Sequence, residues 1–217
     1  MSYGYLGDTS TKIKQVKKND GILTPSDVLD LESKGHIGGS LELIAEQTTS
    51  GAVCYNFTSI KENKYDIHFL EISGLTVPAG SQDFGIRLYE GGVLETASVY
   101  LYAFLELSTG NTATEVKSTG QDNIRIDSTG SESWVQNLYI YFYNLGNSSK
   151  YSTCTFQGMP RRNTSGGSYN PAGTAMRFGG GALPQTSVVD GIQIYNSATT
   201  STGGTAKLYG VKQIWVT

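Results

Sequence analysis

The chain has 217 residues, of which 16% are charged and 38% hydrophobic; it holds 27 glycines and 14 tyrosines and carries a formal net charge of −3. Globular domains average about 25% charged residues, so glycine and small hydroxyl side chains take over much of the surface here. That mixture excludes a long helical bundle, a coiled coil and a disordered chain, the absence of an apolar run of about 18 residues excludes a membrane-spanning helix, and the mild acidity gives no ground for a nucleic-acid partner.

Residues 1–20 are polar, carry Gly4 and Gly7 and show no sustained periodicity, so they read as an extended arm. Tyr3, Tyr5, Leu6, Ile13 and Val16 are its apolar anchors, and Lys12, Lys14, Lys17 and Lys18 form a local basic cluster. These nine side chains are the candidate attachment residues; a frayed terminus is the alternative. No basic stretch followed by an apolar run opens the chain, so synthesis in the cytoplasm without secretion is expected, and the sequons at Asn56, Asn147 and Asn163 are read as chance products of a Ser/Thr-rich chain.

One short helix follows. Thr24 is placed to cap it, Pro25 takes the first helical position, where a missing N–H costs nothing, and Asp27 completes a capping-box-like start. Val28, Leu29 and Leu31 give it an apolar face, and Gly35 ends it. Two or three turns are marginal alone, so the helix must dock on something larger.

After Gly38-Gly39 the pattern changes to period 2, with Leu41, Leu43 and Ala45 alternating against Glu42, Ile44 and Glu46. Strand-like runs then recur at Ala52–Thr58, Tyr65–Ser73, Phe84–Glu90, Ser98–Leu107, Asn123–Asp127, Val135–Asn144, Tyr151–Gln157, Ala175–Phe178, Gly191–Asn196 and Thr205–Val216. They are rich in β-branched and aromatic residues, and Gly, Ser, Asn and Asp separate them. About eleven short strands with hairpin-length gaps predict an all-β fold, an antiparallel β-sandwich or jelly roll over residues 39–217, preceded by the arm and helix of residues 1–38. The irregular stretch Gly158–Gly173 is the one long loop. Gly85-Ile-Arg-Leu-Tyr89 echoes Gly191-Ile-Gln-Ile-Tyr195, with Ala206-Lys-Leu-Tyr-Gly210 a looser third copy; these read as equivalent strands of two packed sheets.

Motifs for chemistry are sparse. His36 and His68 stand far from each other and from Cys54 and Cys154, without the spacing of a zinc site, so no metal and no cofactor is expected. The cysteines are read as two buried thiols in preference to one bridge. No nucleophile elbow or phosphate-binding loop occurs; Gly179-Gly180-Gly181 comes after a strand, with no helix or lysine to hold a phosphate. Asp127-Ser-Thr-Gly-Ser-Glu132 is read as a polar turn, with calcium the lesser alternative. The chain is therefore expected not to be an enzyme.

Two strands carry more information. Tyr100, Tyr102 and Phe104 share one face of a strand whose other face is Val99, Leu101, Ala103 and Leu105; Tyr139, Tyr141 and Tyr143 stand opposite Leu138, Ile140 and Phe142. A strand apolar on both faces is covered on both sides. The six aromatics are the candidate subunit interface, against the alternatives of an inner core or a carbohydrate platform.

The stretch Lys14-Gln-Val-Lys-Lys-Asn-Asp-Gly-Ile-Leu-Thr-Pro-Ser-Asp-Val-Leu-Asp-Leu-Glu32 resembles the N-terminal region of virion structural proteins of tailed bacteriophages, especially those of marine cyanobacteria. Gly38-Gly-Ser-Leu-Glu-Leu-Ile44, Phe57-Thr-Ser-Ile-Lys-Glu-Asn-Lys-Tyr-Asp-Ile-His68, Tyr141-Phe-Tyr-Asn-Leu-Gly146 and Leu208-Tyr-Gly-Val-Lys212 are similar to the same group. The resemblance implies a β-sandwich displayed on a particle as a decoration, fibre or tail-associated protein, located in the virion, and no catalytic residue. Other capsid or tail proteins are the partners it implies. A homo-oligomer is expected, a trimer first by analogy, and a host-surface glycan bound through Trp134, Tyr169 or Trp215 is the alternative role; a polysaccharide hydrolase or lyase ranks below it.

Overall fold

The structure, a computed structural model, describes residues 24–33, 39–52, 54–77, 84–127, 134–162, 174–197 and 201–212. The chain divides into two units, and the second, Ser40–Gln213, holds all the strands. In the first, α1 spans Pro25–Ser33; the Thr24 carbonyl accepts the Val28 N–H at 3.0 Å, and Pro25 occupies the first helical position as the sequence required. The candidate attachment residues, Tyr3 to Lys18, and His36 lie outside the described residues.

The β domain is an antiparallel β-sandwich of unequal sheets. Its strands are β1 (Leu41–Ala52), β2 (Tyr55–Phe57), β3 (Ile67–Val77), β4 (Phe84–Glu90), β5 (Val93–Leu94), β6 (Tyr100–Ser108), β7 (Thr112–Gln121), β8 (Ile124–Asp127), β9 (Trp134–Tyr143), β10 (Ser152–Gly158), β11 (Arg161–Arg162), β12 (Ala175–Leu183), β13 (Val189–Asn196) and β14 (Ser201–Val211). The larger sheet runs β1-β14-β3-β9-β10-β12-β6-β7, with β11 extending the β10 edge along β9. The smaller runs β2-β13-β4, and β5 and β8 share the far edge of β4.

Between the sheets lies one core. The larger sheet contributes Leu70, Ile72, Leu138, Ile140, Phe142 and Phe156, the smaller Phe57, Phe84, Ile86, Leu88, Ile192 and Ile194, all buried. Tyr100 ties the layers together: on β6 of the larger sheet, its hydroxyl accepts the Leu88 N–H of β4 at 2.9 Å and donates to the Glu95 carbonyl at 3.1 Å. Burial pushes its phenol pKa up, the charges of Glu95 and Glu90 add to that and the Leu88 N–H opposes it, so the phenol stays protonated.

Several sequence expectations change. β7, β5 and β11 were not expected; β7 (TATEVKSTGQ) is an exposed edge strand without the apolar alternation that marks a half-buried one. The three consecutive glycines do not follow a strand but lie inside β12. Gly179 and Gly181 face the core between β10 and β6, and a Cβ on Gly179 would stand 2.3 Å from the Phe104 Cβ, so the packing of Phe104 and Phe156 against each other needs glycine there. In β1 a register shift between Leu43 and Ala45 breaks the simple alternation: Leu41 and Leu43 stay exposed while Ala45 packs against the core. The two close sequence echoes are not in different sheets. They are β4 and β13, hydrogen-bonded neighbours of the smaller sheet in a symmetric register, Gly85 opposite Tyr195 and Tyr89 opposite Gly191; only the looser third copy lies in the larger sheet.

His68, on the core face of β3, is fully buried with Nε2 2.8 Å from the Ile60 carbonyl. That contact makes Nε2 the protonated nitrogen of a neutral ring. Burial lowers its pKa, opposed by the Ile60 carbonyl. The unfolded chain protonates this ring near pH 6.5 and the folded protein only at lower pH, so its contribution is full above that range and is lost as the pH falls below it. The urea midpoint should drop more steeply between about pH 7.5 and about pH 5 in the wild type than in His68→Gln, which keeps the donor and loses the titration.

Cys54 and Cys154 are both free thiols, Cys154 buried and Cys54 half-buried, so the expectation of two buried thiols holds for one of them. Burial pushes the Cys154 pKa up to about 12. A thiol reagent should therefore label the native protein at Cys54 and reach Cys154 only after denaturation.

Candidate functional site

Period-2 geometry places alternate residues of neighbouring strands in rows across each face of a sheet. On the outward face of the larger sheet, Leu43, Tyr209, Phe69, Tyr141 and Thr155 stand in one such row, from β1, β14, β3, β9 and β10. The adjacent row reads Lys207, Glu71, Tyr139, Gln157, Phe178 and Leu105. Phe69 is the centre of an aromatic cluster, its ring centroid 4.9 Å from Tyr141, 5.9 Å from Tyr209 and 6.1 Å from Tyr139. Such tilted contacts hold the rings in place without covering their outer surfaces.

Polar groups border the cluster. The Tyr139 hydroxyl donates to Gln157 Oε1 at 2.8 Å, Tyr143 and Thr155 share a hydrogen bond at 3.4 Å, and Lys207 lies 3.9 Å from Glu46. Beside it opens a hollow of about 560 Å³ lined by Phe69, Glu71, Asn137, Tyr139, Met159 and Met176 among others. Tyr139, Met159, Met176 and Phe178 are exposed, continuing the apolar surface towards β6. Contiguous apolar area of this kind on a protein surface marks a place where something binds.

The outward face of the smaller sheet differs. The Arg87 guanidinium lies 3.5 Å from the centre of the Tyr195 ring, donates from Nε to the Asp122 carbonyl at 2.9 Å and pairs with the Asp122 carboxylate. Tyr89 Oη and Gln193 Nε2 both donate to Asn56 Oδ1, each at 2.9 Å. These side chains are tied to one another by hydrogen bonds and an ion pair, whereas the aromatic rings opposite have apolar surface still to bury.

The sequence grouped six aromatics as an interface, and the structure separates them. Tyr139, Tyr141 and Tyr143 are on the outward face. Tyr100, Tyr102 and Phe104 point the other way, into the core, with Tyr100 fully buried. The correction has a plain cause: both strands are apolar on both faces, and only the partner strands decide which face meets the second sheet. Phe69, Tyr209 and Leu43 were missed. Phe69 and Tyr209 are the lone outward aromatics of their strands, and only cross-strand register gathers them with Leu43.

A charged cluster in the interior joins four strands. Arg177 of β12 donates from Nε and Nη2 to Glu106 Oε2 of β6, both at 2.7 Å, and pairs through Nη1 with Asp127 at the end of β8. Asp127 also accepts from Gln136 Nε2 of β9 at 2.5 Å. One guanidinium thus bridges two carboxylates, an arrangement suited to holding strand ends together. Asp127 is engaged there, and residues 128–132 of the turn it begins lie outside the described residues. Among the described residues no three His, Cys, Asp or Glu side chains converge as metal ligands. Of the aromatics considered for glycan stacking, Trp134 has its backbone in β9, and Tyr169 and Trp215 lie outside the described residues. Compared with known proteins, the chain matches no family model, no curated protein and no solved structure.

Proposed function

We propose that the chain is a non-enzymatic structural component of a tailed-phage virion, a surface-displayed decoration or fibre-type protein that attaches through its N-terminal segment and presents its β-sandwich to neighbouring proteins. The aromatic outward face of the larger sheet carries this reading: its rings stand together on neighbouring strands and are rimmed by polar groups, as at the centre of a protein–protein contact. The resemblance of residues 14–32 to phage structural proteins supports attachment through the N-terminal segment.

Complementation of a phage lacking this protein tests the reading. Particles should incorporate the full chain, fail to incorporate a variant lacking Met1–Asp20, and incorporate Phe69→Ser/Tyr141→Ser poorly although both variants fold. Normal incorporation of all three overturns it.

A receptor-binding role is the second reading, favoured by the same rings standing beside Glu71, Asn137 and Gln157, an arrangement that fits stacking on sugars. It predicts binding on a glycan array that is lost in Tyr139→Ala and Tyr141→Ala; no binding to host envelope sugars ends it.

A further inference from the structure

Among the described residues the larger sheet ends in two edge strands, β1 and β7, and they are built differently. A free strand edge is a template for another strand, and proteins blunt it with bulges, charge or proline. The β1 edge is broken by register shifts at three places between Leu43 and Ala52. The β7 edge is regular: from Leu101 to Ser108 its partner β6 pairs with Thr119 to Thr112 without a break. No proline interrupts β7, and most of its side chains are exposed.

Its two charged residues would be expected to guard such an edge. Glu115 and Lys117 project from the outward face, side chains 64% and 68% exposed, and pair with each other at 2.7 Å. Their spacing has a further consequence. If β7 meets a second β7 antiparallel with Val116 opposite Val116, Glu115 of each copy stands across from Lys117 of the other. Thr114 then faces Ser118, and Ala113 faces Thr119. Opposite charges directly across an antiparallel pair attract, and hydroxyl pairs hydrogen-bond. On the inward face, Val116 already packs against the edge of the core, so the two valines would carry the apolar layer across the junction.

We infer that β7 is a homodimerisation edge: two copies join through antiparallel β7–β7 pairing about a two-fold axis at Val116, making one continuous sheet. The symmetric register is what a two-fold contact demands: wherever residue i of one copy meets residue j of the other, j also meets i, and only Val116 on the axis meets its own counterpart. The pairing closes at two and replaces the trimer expected by analogy. It leaves the aromatic face open for other partners and stands whether or not the chain belongs to a virion. An edge contact buries little apolar area, so association is expected at about micromolar concentrations and above, weakening with salt.

Sedimentation velocity of the full chain over a concentration series decides it. The wild type should pass from monomer to dimer. Lys117→Glu sets Glu115 against a second carboxylate, and Glu115→Lys sets Lys117 against a second ammonium; each should weaken the dimer by about tenfold or more while circular dichroism and melting stay those of the wild type. The double exchange Glu115→Lys/Lys117→Glu should restore it. An equimolar mixture of the two single variants should form a heterodimer, since every pair across that junction is then of opposite sign. A wild type that remains monomeric at high concentration, a trimer, or a dimer indifferent to both single reversals overturns the inference.

Discussion

Replacing Arg177 by methionine is expected to lower stability by about 3–5 kcal/mol, the range for removing one partner of a buried ion pair. The reason is not the lost attraction alone. Arg177 is 4% exposed and Asp127 fully buried, so the substitution removes from a buried carboxylate the guanidinium that pairs with it. Glu106 is more exposed and would recover part of its hydration. In a protein of this size the change corresponds to a fall of about 10 °C in Tm. Denaturant unfolding of the Arg177→Met and Asp127→Asn variants and of the double variant gives the check. The second substitution should recover much of the loss in the Met background, because it removes the charge that Arg177 neutralised, and the two effects should be strongly non-additive. A loss below about 1 kcal/mol for Arg177→Met would mean that water replaces the guanidinium and that the cluster does not join the sheets.

Tyr100→Ala should be comparably damaging, about 3–5 kcal/mol, as for other large aromatic side chains removed from a core. Tyr100→Phe isolates the hydroxyl. It leaves the Leu88 N–H and the Glu95 carbonyl without this partner, and should cost about 1–3 kcal/mol. Tyr141→Ala removes a ring of similar size from the outward face and should cost about 1 kcal/mol, while impairing whatever the aromatic face binds. Equal destabilisation at the two positions would refute the division into a core stripe and a surface stripe. The comparison bears directly on function, since the sequence placed both tyrosines in one interface.

The candidate site was legible only in part. Tyr139, Tyr141 and Tyr143 announce themselves as a period-2 stripe, and so do Tyr100, Tyr102 and Phe104. Nothing local distinguishes the two. Alternation says that a strand has two faces and what each is made of; whether a face turns inward depends on strands far away in the chain, such as β4 across from Tyr100 and β14 beside Phe69. β7 escaped notice for the complementary reason. A mostly exposed edge strand needs no apolar alternation, and with Val116 its one large apolar residue β7 carries no strand signal although β6 holds it in register.

What the sequence determined by itself is the class of structure: one short helix opened by Thr24-Pro25, then an all-β antiparallel domain with most of its strands in place. Those features rest on neighbours in the chain, on capping, turn residues and alternation. The tertiary structure decided what lies across from what. Cross-strand pairing put the glycines of β12 between two aromatic strands, turned Tyr100 into a bridge between the sheets, closed Arg177 on two distant carboxylates, and left Phe69 at the centre of an uncovered aromatic face. Register and not composition decides which side chains share a surface, and it gathers Tyr139, Tyr141 and Tyr209 around Phe69 on the outward side of the larger sheet.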